Sequence, residues 1–388
     1  MSAAASYDVI VVGLGGMGSA AAYWLANRGV RVLGLEMHQP GHAYGSSHGH
    51  HRIIREAYFE APEYVPYVQR AYQLWEELED DAGQSGILTI TGGLLFGMPD
   101  SEVVHGTLTS ARLHGLAHEE LTPDDVARRF PGFRLSADMI GVYEPRSGFV
   151  APELAIATQC RLATERGAEL RYGVEVAGWE GDGDGVRVRT AAGETYSANA
   201  LILTTGPWAG ELLAGLDLPL TVWRIVNGYF EPLEPERYAV GNCPIYLFDA
   251  PEGTFYGFPH LDGVGLKIGR HDNGEPTTAR AIRREIDQAE IEELRAALAK
   301  YLPGAAGPCL SSVTCMYTMT PDQHFIIDRH PAHPNVVIGC GFSGHGFKFA
   351  AAIGETLGEL ATGQQPSQPV GFLELDRFAT LTETNTQQ

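Results

Sequence analysis

The chain is short of positive charge. Its 388 residues include 27 lysines and arginines against 48 aspartates and glutamates, a formal net charge of −21. Nucleic acid and anionic membranes both demand a basic face, so neither is expected as a partner. An anionic small molecule would have to be met by a few cations gathered in one place. Cysteine is scarce as well. The five residues, at 160, 243, 309, 315 and 340, are odd in number and irregularly spaced, which suits reduced thiols better than a disulfide framework. No apolar run approaches the roughly 18 residues needed to cross a bilayer. The first strand is reached by Tyr7, which leaves no room for a leader peptide, and the terminal NTQQ is not a peroxisomal address. These features predict a soluble, cytoplasmic protein. Internal repeats, low-complexity linkers and long charge blocks are also missing.

What is present begins with VIVVG, a strand running into Gly13, Gly15 and Gly18 of GLGGMG, then a helix of small residues, a second strand VRVLGLE, and Glu36 at its end. That order is the first half of a dinucleotide site. Gly13 permits the tight turn, Gly15 lets the backbone approach a pyrophosphate, and Gly18 lets helix and strand pack closely, while the helix start offers free N–H groups to phosphate. Glu36 stands where a carboxylate accepts hydrogen bonds from the adenosine ribose. NAD and FAD share this ADP half. The next segment decides between them, because no second βαβ unit follows. Instead come the polar loop GHAYGSSHGHHRIIREAY and a helical stretch YVPYVQRAYQLWEELEDDAG; the strand–glycine–helix pattern returns only in NVVIGCGFSGHGFKFAAAIGETLGELATG. Two distant segments converging on one long cofactor suit FAD.

Length and the 44% apolar content predict two domains with a full core. The fold expected is α/β: a glycine-rich, Rossmann-like cofactor domain from 1–88, 151–221 and 322–388, and a mixed β-sheet substrate domain from 89–150 and 222–321. ELRYGVEVAGWEGDGDGVRVRTAAGETYSANALILTTGPW reads as three short strands joined by GDGDG and AAGE turns, then a buried strand. The substrate domain shows β-type runs such as TVWRIVNGYFEPL, with one charged helix over ARAIRREIDQAEIEELRAALAKYL.

Together GLGGMGSAAAYWLANRG, SSHGHHRIIREAY, FYGFP with GLKIGRH, CMYTMTPDQHFIID and GFSGHGFKFA resemble the monomeric sarcosine oxidase and N-methyltryptophan oxidase group of FAD-dependent amine oxidases, almost end to end. The resemblance implies a D-amino-acid-oxidase-like architecture and a monomer. It also implies oxidation of a secondary N-methyl amino acid to an imine that hydrolyses to formaldehyde, with O₂ reduced to hydrogen peroxide. Carried over by matching motif, Cys315 would bond the flavin as a thioether, where a cysteine read alone would be an inert core thiol. Arg55 and Lys348 would clamp the substrate carboxylate, Arg as a planar bidentate partner and Lys as a point charge. Arg52, at one helical turn's spacing before Arg55, would lie near the ring. Lys267 would sit by the flavin and stabilise developing superoxide. His271, Tyr256 and Tyr317 would line the substrate side. Gly16, Ser46, Val176 and Gly344 would join Gly13, Gly15, Gly18, Glu36, Cys315 and Lys348 around the cofactor.

The pattern departs from the group in two places. His51 replaces a small hydroxyl residue in what is commonly a GDTR segment, and Leu247 stands where sarcosine oxidases tend to carry methionine. The cluster His48, His50, His51 invites a metal reading, but no cysteine or carboxylate set with zinc spacing accompanies it, so no metal is expected. Oxidation of a cyclic or primary amino acid such as proline, pipecolate or glycine is the alternative activity. An NAD(P)H-dependent monooxygenase would need a second nicotinamide motif, which the chain lacks. A non-catalytic FAD-binding protein would leave Arg55, Lys267 and Lys348 without a reason to occur together.

Overall fold

Continuous, mostly apolar runs are buried on both faces in the second half of Tyr7–Val12, in Val32–Glu36 and in the second half of Thr195–Leu203, as parallel strands covered on both sides require. In the computed structural model, which describes residues 7–182 and 185–378, these strands lie side by side in an eight-stranded sheet. Tyr7–Val12 is its centre, parallel to Val32–Glu36 on one side and to Thr195–Leu203 on the other. His333–Cys340 extends the parallel set from Thr195–Leu203. The antiparallel meander Val176–Asp182, Gly185–Thr190, Thr195–Leu203 feeds into it. The strand Glu169–Tyr172, read as part of that run, leaves the meander and pairs with Val32–Glu36 at the opposite edge. Residues 183 and 184 of the GDGDG turn and the terminal NTQQ lie outside the described residues.

Helix Gly16–Ala26 packs against this sheet between helices Pro152–Glu165 and Ala350–Ala361. Small residues set the spacing. A Cβ on Gly18 would fall 1.8 Å from the Gly13 carbonyl oxygen, and one on Gly354 would fall 2.5 Å from Ala20 Cβ. The long helix Val65–Ala82 starts with proline in its first turn and stops at Gly83, whose φ of 59° is left-handed.

A second, nine-stranded sheet is mostly antiparallel. Its long strand Thr221–Phe230 pairs Ile225 with Cys315 and Trp223 with Tyr317 on Cys309–Met319, and Tyr229 with Lys267 on Leu266–Arg270. Because side chains alternate along a strand, Cys315 and Tyr317 share a face. A three-stranded sheet of Arg52–Ile54, Gly148–Val150 and Leu88–Ile90 stands between the larger two in the chain path.

Three local expectations change. Arg52 and Arg55 are not one helical turn apart, because Arg52–Ile54 is extended and paired with Gly148–Val150. The charged helix begins at Gln288, where Asp287 and Glu290 form a capping box. The preceding arginines turn outward: Arg280 binds Glu175 and Glu211, and Arg284 donates to the carbonyls of Ala43 and Tyr44. The stretch 89–150 also holds two helices, Glu102–His114 and Pro123–Arg129, capped by Ser101 and Thr122.

Gly354→Val would force apart the backbones of the first and last described α-helices. An overpacking cost of about 1–3 kcal/mol is expected, read as a lower urea midpoint; an unchanged midpoint would mean that the helices are not in the close contact described.

Candidate active site

The first glycine turn and the last meet along one continuous cavity. Gly13, Gly15, Gly16 and Glu36, around the first turn, line it together with Ser46, Val176, Cys315 and, from the last turn, Gly344 and Lys348. Gly18 lies beneath, packed on Gly13. Helix Gly16–Ala26 has no cap from the side chain of its N-cap residue, Gly15, and its first N–H, of Gly16, donates to Ser47 Oγ at 3.3 Å, so the positive end of the helix lies at the cavity wall. A Cβ on Gly15 would meet only Ser47 Oγ, at 3.7 Å, so space is open where a diphosphate would approach. Thr205 Oγ1 is buried, unpartnered and part of the same wall. Glu36 is buried and already accepts N–H bonds from Leu14 and His38, each at 2.9 Å. These residues fit the ADP half of FAD.

Elsewhere, loops replace regular structure and hold four cations. Glu153 accepts the N–H groups of Gly49 and His50. Lys267 Nζ donates to Gly49 O at 2.8 Å and to His51 O at 3.1 Å, and Tyr229 Oη donates to Gly49 O at 3.0 Å. Lys267 is fully buried behind this loop and is not part of the cavity wall. Burial, then the Arg52 charge, push its ammonium well below the usual lysine range. Arg52 donates to Ser46 O and His51 O, and its guanidinium lies 3.6 Å from Cys315 Sγ. Arg55, 1% exposed, pairs with Glu60 and donates to Ala57 O at 2.9 Å. Burial favours a neutral Glu60, yet Arg55, His345 and Lys348 outweigh it and bring its carboxyl down to about 2. Lys348 Nζ donates to His345 O at 2.7 Å and to Tyr58 Oη at 3.3 Å. Burial, then the Arg55 charge, push it down to about 7.

An aromatic wall lines the same cavity. Tyr256 Oη donates to Asn227 Oδ1 at 2.7 Å, Tyr317 Oη lies 3.4 Å from Tyr256 Oη, and His271 Nδ1 lies 3.5 Å from Tyr317 Oη. All three side chains line the cavity with Leu247 and Phe258. Burial keeps His271 below its ordinary range and hence neutral. His51 faces elsewhere: its ring packs on Phe149 at 4.7 Å and Phe258 at 5.2 Å, with Nδ1 unpartnered. Burial, then Lys267, push it down to about 3. Among the described residues no group of three or more histidines, cysteines or carboxylates is placed to hold a metal ion, and all five cysteines are free thiols. No described helix is long and apolar enough to cross a membrane.

Sequence reasoning missed Glu60, Tyr58, His345 and Asn227. Glu60 was findable as an acid five residues beyond an arginine assigned to an anion. His345 lies inside the GHGFKFA segment. Tyr58 and Asn227 carry no local signal, since each matters only through a partner far along the chain.

The family model described as DAO, FAD dependent oxidoreductase, matches residues 8–360. The chain is 44% identical over 383 residues to monomeric sarcosine oxidase of Streptomyces avermitilis, covering 96% of this chain and 98% of that one. It is 37% identical over 376 residues to N-methyl-L-tryptophan oxidase of Citrobacter koseri, covering 96% and 99%. The solved structure of NikD, an unusual amino acid oxidase essential for nikkomycin biosynthesis, matches with a TM-score of 0.85 at 28% identity over 95% of this chain and 97% of that chain. The chain belongs to the DAO family of FAD-dependent oxidoreductases. Within that class it is a sarcosine oxidase-like flavoprotein oxidase.

A carboxylate seated on Arg55 and Lys348 would need Lys348 charged. With its free ammonium near 7, binding draws a proton from solvent at higher pH. The affinity of the holoenzyme for acetate is therefore expected to be level below about pH 7 and to fall toward tenfold per unit above it, a slope that Lys348→Met removes. Calorimetric titration between pH 6 and 9 checks this; a level profile in the unaltered enzyme would contradict it.

Proposed function

We propose that this oxidase acts on N-methyl amino acids of the sarcosine type, yielding the primary amine, formaldehyde and hydrogen peroxide from substrate, O₂ and water. The observation that carries the reading is the pair of buried cations, Arg55 and Lys348, set in one cavity with Cys315 and the wall of Tyr256, Tyr317 and His271. Bound FAD supplies the acceptor for the hydride equivalent and passes electrons to oxygen.

The chain's own residues do the rest. Arg55 and Lys348 hold the carboxylate, so the N-methyl end points toward the Cys315 side. Arg55 reaches the carboxylate by sharing or exchanging its bond with Glu60, which keeps the cation compensated until substrate arrives. Neutral His271 is suited to accept the amine N–H, and the aromatic wall excludes water from the carbon that is oxidised. Cys315 is the reading's attachment point for the flavin, supported by its place on the cavity wall beside Arg52. Lys267, held by the carbonyls of Gly49 and His51 behind the loop, stabilises negative charge as oxygen is reduced. In this reading 1–88, 151–221 and 322–388 form the unit that carries the cofactor, and 89–150 and 222–321 the unit that selects substrate.

Arg55→Ala is expected to weaken an N-methyl amino acid by about 2–5 kcal/mol, because its carboxylate loses a desolvated partner, and to spare an N-methyl amine that has no carboxylate. Peroxide-coupled kinetics on both substrates test this, and equal losses would refute the clamp. Cys315→Ser should release flavin into the supernatant on acid precipitation, where the unaltered protein retains it; flavin still bound to the variant's pellet would put the linkage elsewhere.

A further inference from the structure

Two like charges in one dry pocket repel, so something must hold Arg55 and Lys348 side by side. Tyr58 is placed to do it. Its side chain is fully buried, and its ring receives both cations: the Arg55 guanidinium carbon lies 4.2 Å from the ring centre and Lys348 Nζ 5.1 Å. Attraction to the ring's negative face strengthens when the cation has lost its water.

The hydroxyl adds direction. His345 Nε2 lies 3.0 Å from the backbone oxygen of Gln323, which can only accept. Burial pushes His345 down to about 3, so the imidazole is neutral and its single proton sits on Nε2. Nδ1 is then an acceptor, and the Tyr58 hydroxyl bonded to it must donate. The Tyr58 oxygen is left to accept from Lys348 Nζ at 3.3 Å. A one-way chain results, from Lys348 to Tyr58 to His345 to Gln323 O. Lys348 also donates to His345 O. Two of its three N–H groups are committed, and the third is free for the cavity that Lys348 lines.

We propose that Tyr58 is a positioning residue that joins Arg55 and Lys348 into one carboxylate receptor, its ring holding both cations and its hydroxyl aiming the lysine. The proposal rests on the carboxylate-clamp reading above. It makes the tyrosine a determinant of selectivity for substrates that carry an α-carboxylate, without contact to the substrate itself. Other groups facing this cluster are Glu60, bonded to Arg55; the ring of Phe59, 4.4 Å from the Arg55 guanidinium; the rings of Tyr64 and Phe349 packed on Tyr58, Phe349 also lying 5.5 Å from Lys348 Nζ; Phe325 against His345; and the more distant Arg52 and His271.

Tyr58→Phe in the holoenzyme keeps the ring and its packing and deletes only the hydroxyl. For sarcosine, KM is expected to rise roughly 10- to 100-fold, the range for losing a hydrogen bond to a charged group. The turnover number should change much less, and an N-methyl amine without a carboxylate should be unaffected. With one acceptor gone the charged lysine is less stable, so the pH above which acetate affinity declines should move down. Equal losses for both amines, or an acetate profile that stays in place, would overturn the proposal by showing a role confined to packing. Should Arg55→Ala discriminate between the two amines while Tyr58→Phe does not, the proposal falls and the clamp stands. If neither discriminates, the clamp falls first. A second measurement is independent of any variant: ¹⁵N resonances of His345 in the unaltered protein should report the Nε2–H tautomer, and the Nδ1–H tautomer would reverse the chain.

Discussion

Desolvated positive charge is the constraint around which this molecule is arranged. Arg52, Arg55, Lys267 and Lys348 are drawn into one region of a protein whose net charge is −21, and among them only Arg55 is paired with a carboxylate in the described contacts. Isolated buried charge is costly unless it is hydrogen-bonded. The compensation comes from backbone oxygens: Ser46, Gly49, His51, Ala57 and His345 each turn a carbonyl toward one of the four cations. Strand carbonyls would already be committed to a ladder. Carbonyls free for this task must come from irregular backbone, which explains why the segments at 45–51, 55–60 and 341–346 are loops although they lie deep in the fold.

Such loops need holding, since a backbone that relaxed would let the cations seek water. Each is tied to regular elements from the other sheets. Glu153, in the first turn of helix Pro152–Glu165, takes the N–H groups of Gly49 and His50, and Glu144 takes those of Glu56 and Ala57. Trp75 Nε1, from the long helix, donates to Lys348 O at 2.9 Å. Ser110, from helix Glu102–His114, donates to Tyr58 O. Glu153 and Glu144 thus spend their charge on peptide N–H groups, and of the four cations only Arg55 meets a carboxylate in the described contacts.

Legibility in the sequence followed the range of the interaction. The glycines at 13, 15 and 18 act on neighbours within one turn, so their geometry could be read from the motif itself. The strands Tyr7–Val12 and Val32–Glu36 were legible as apolar runs on either side of the glycine turn and its helix, whereas their order in the sheet depends on pairings far apart in the chain. The helix at Gln288 was not delimited correctly, because helical propensity in ARAIRRE competes with ion pairs to Glu175 and Glu211 that only the tertiary fold supplies. Arg52 and Arg55 were each singled out, but the helical spacing read between them concealed a strand. Glu60 and Tyr58 were invisible for a different reason: one cancels a charge and the other orders two charges, and neither effect has a periodicity.

Backbone strain marks where this order is concentrated. His50 and Ser343 are non-glycine residues with φ of 66° and 43°, a left-handed conformation they adopt beside Gly49 at 95° and Gly344 at 80°. A position of this kind costs of order 1–3 kcal/mol and persists only when its surroundings over-determine it. They do so here. Ser343 N donates to Thr318 O at 2.9 Å, its hydroxyl is shared with Thr320 and Gly341, and His50 N is held by Glu153. One strained residue adjoins the carbonyls that bind Lys267, the other adjoins Gly344 on the cavity wall and precedes His345 and Lys348. The two strained turns therefore hold Lys267 and Lys348 through the carbonyls beside them, before any substrate is present. A receptor assembled in this way has little left to reorganise when an anion enters or negative charge develops, which is the condition under which a buried dipole or cation stabilises most.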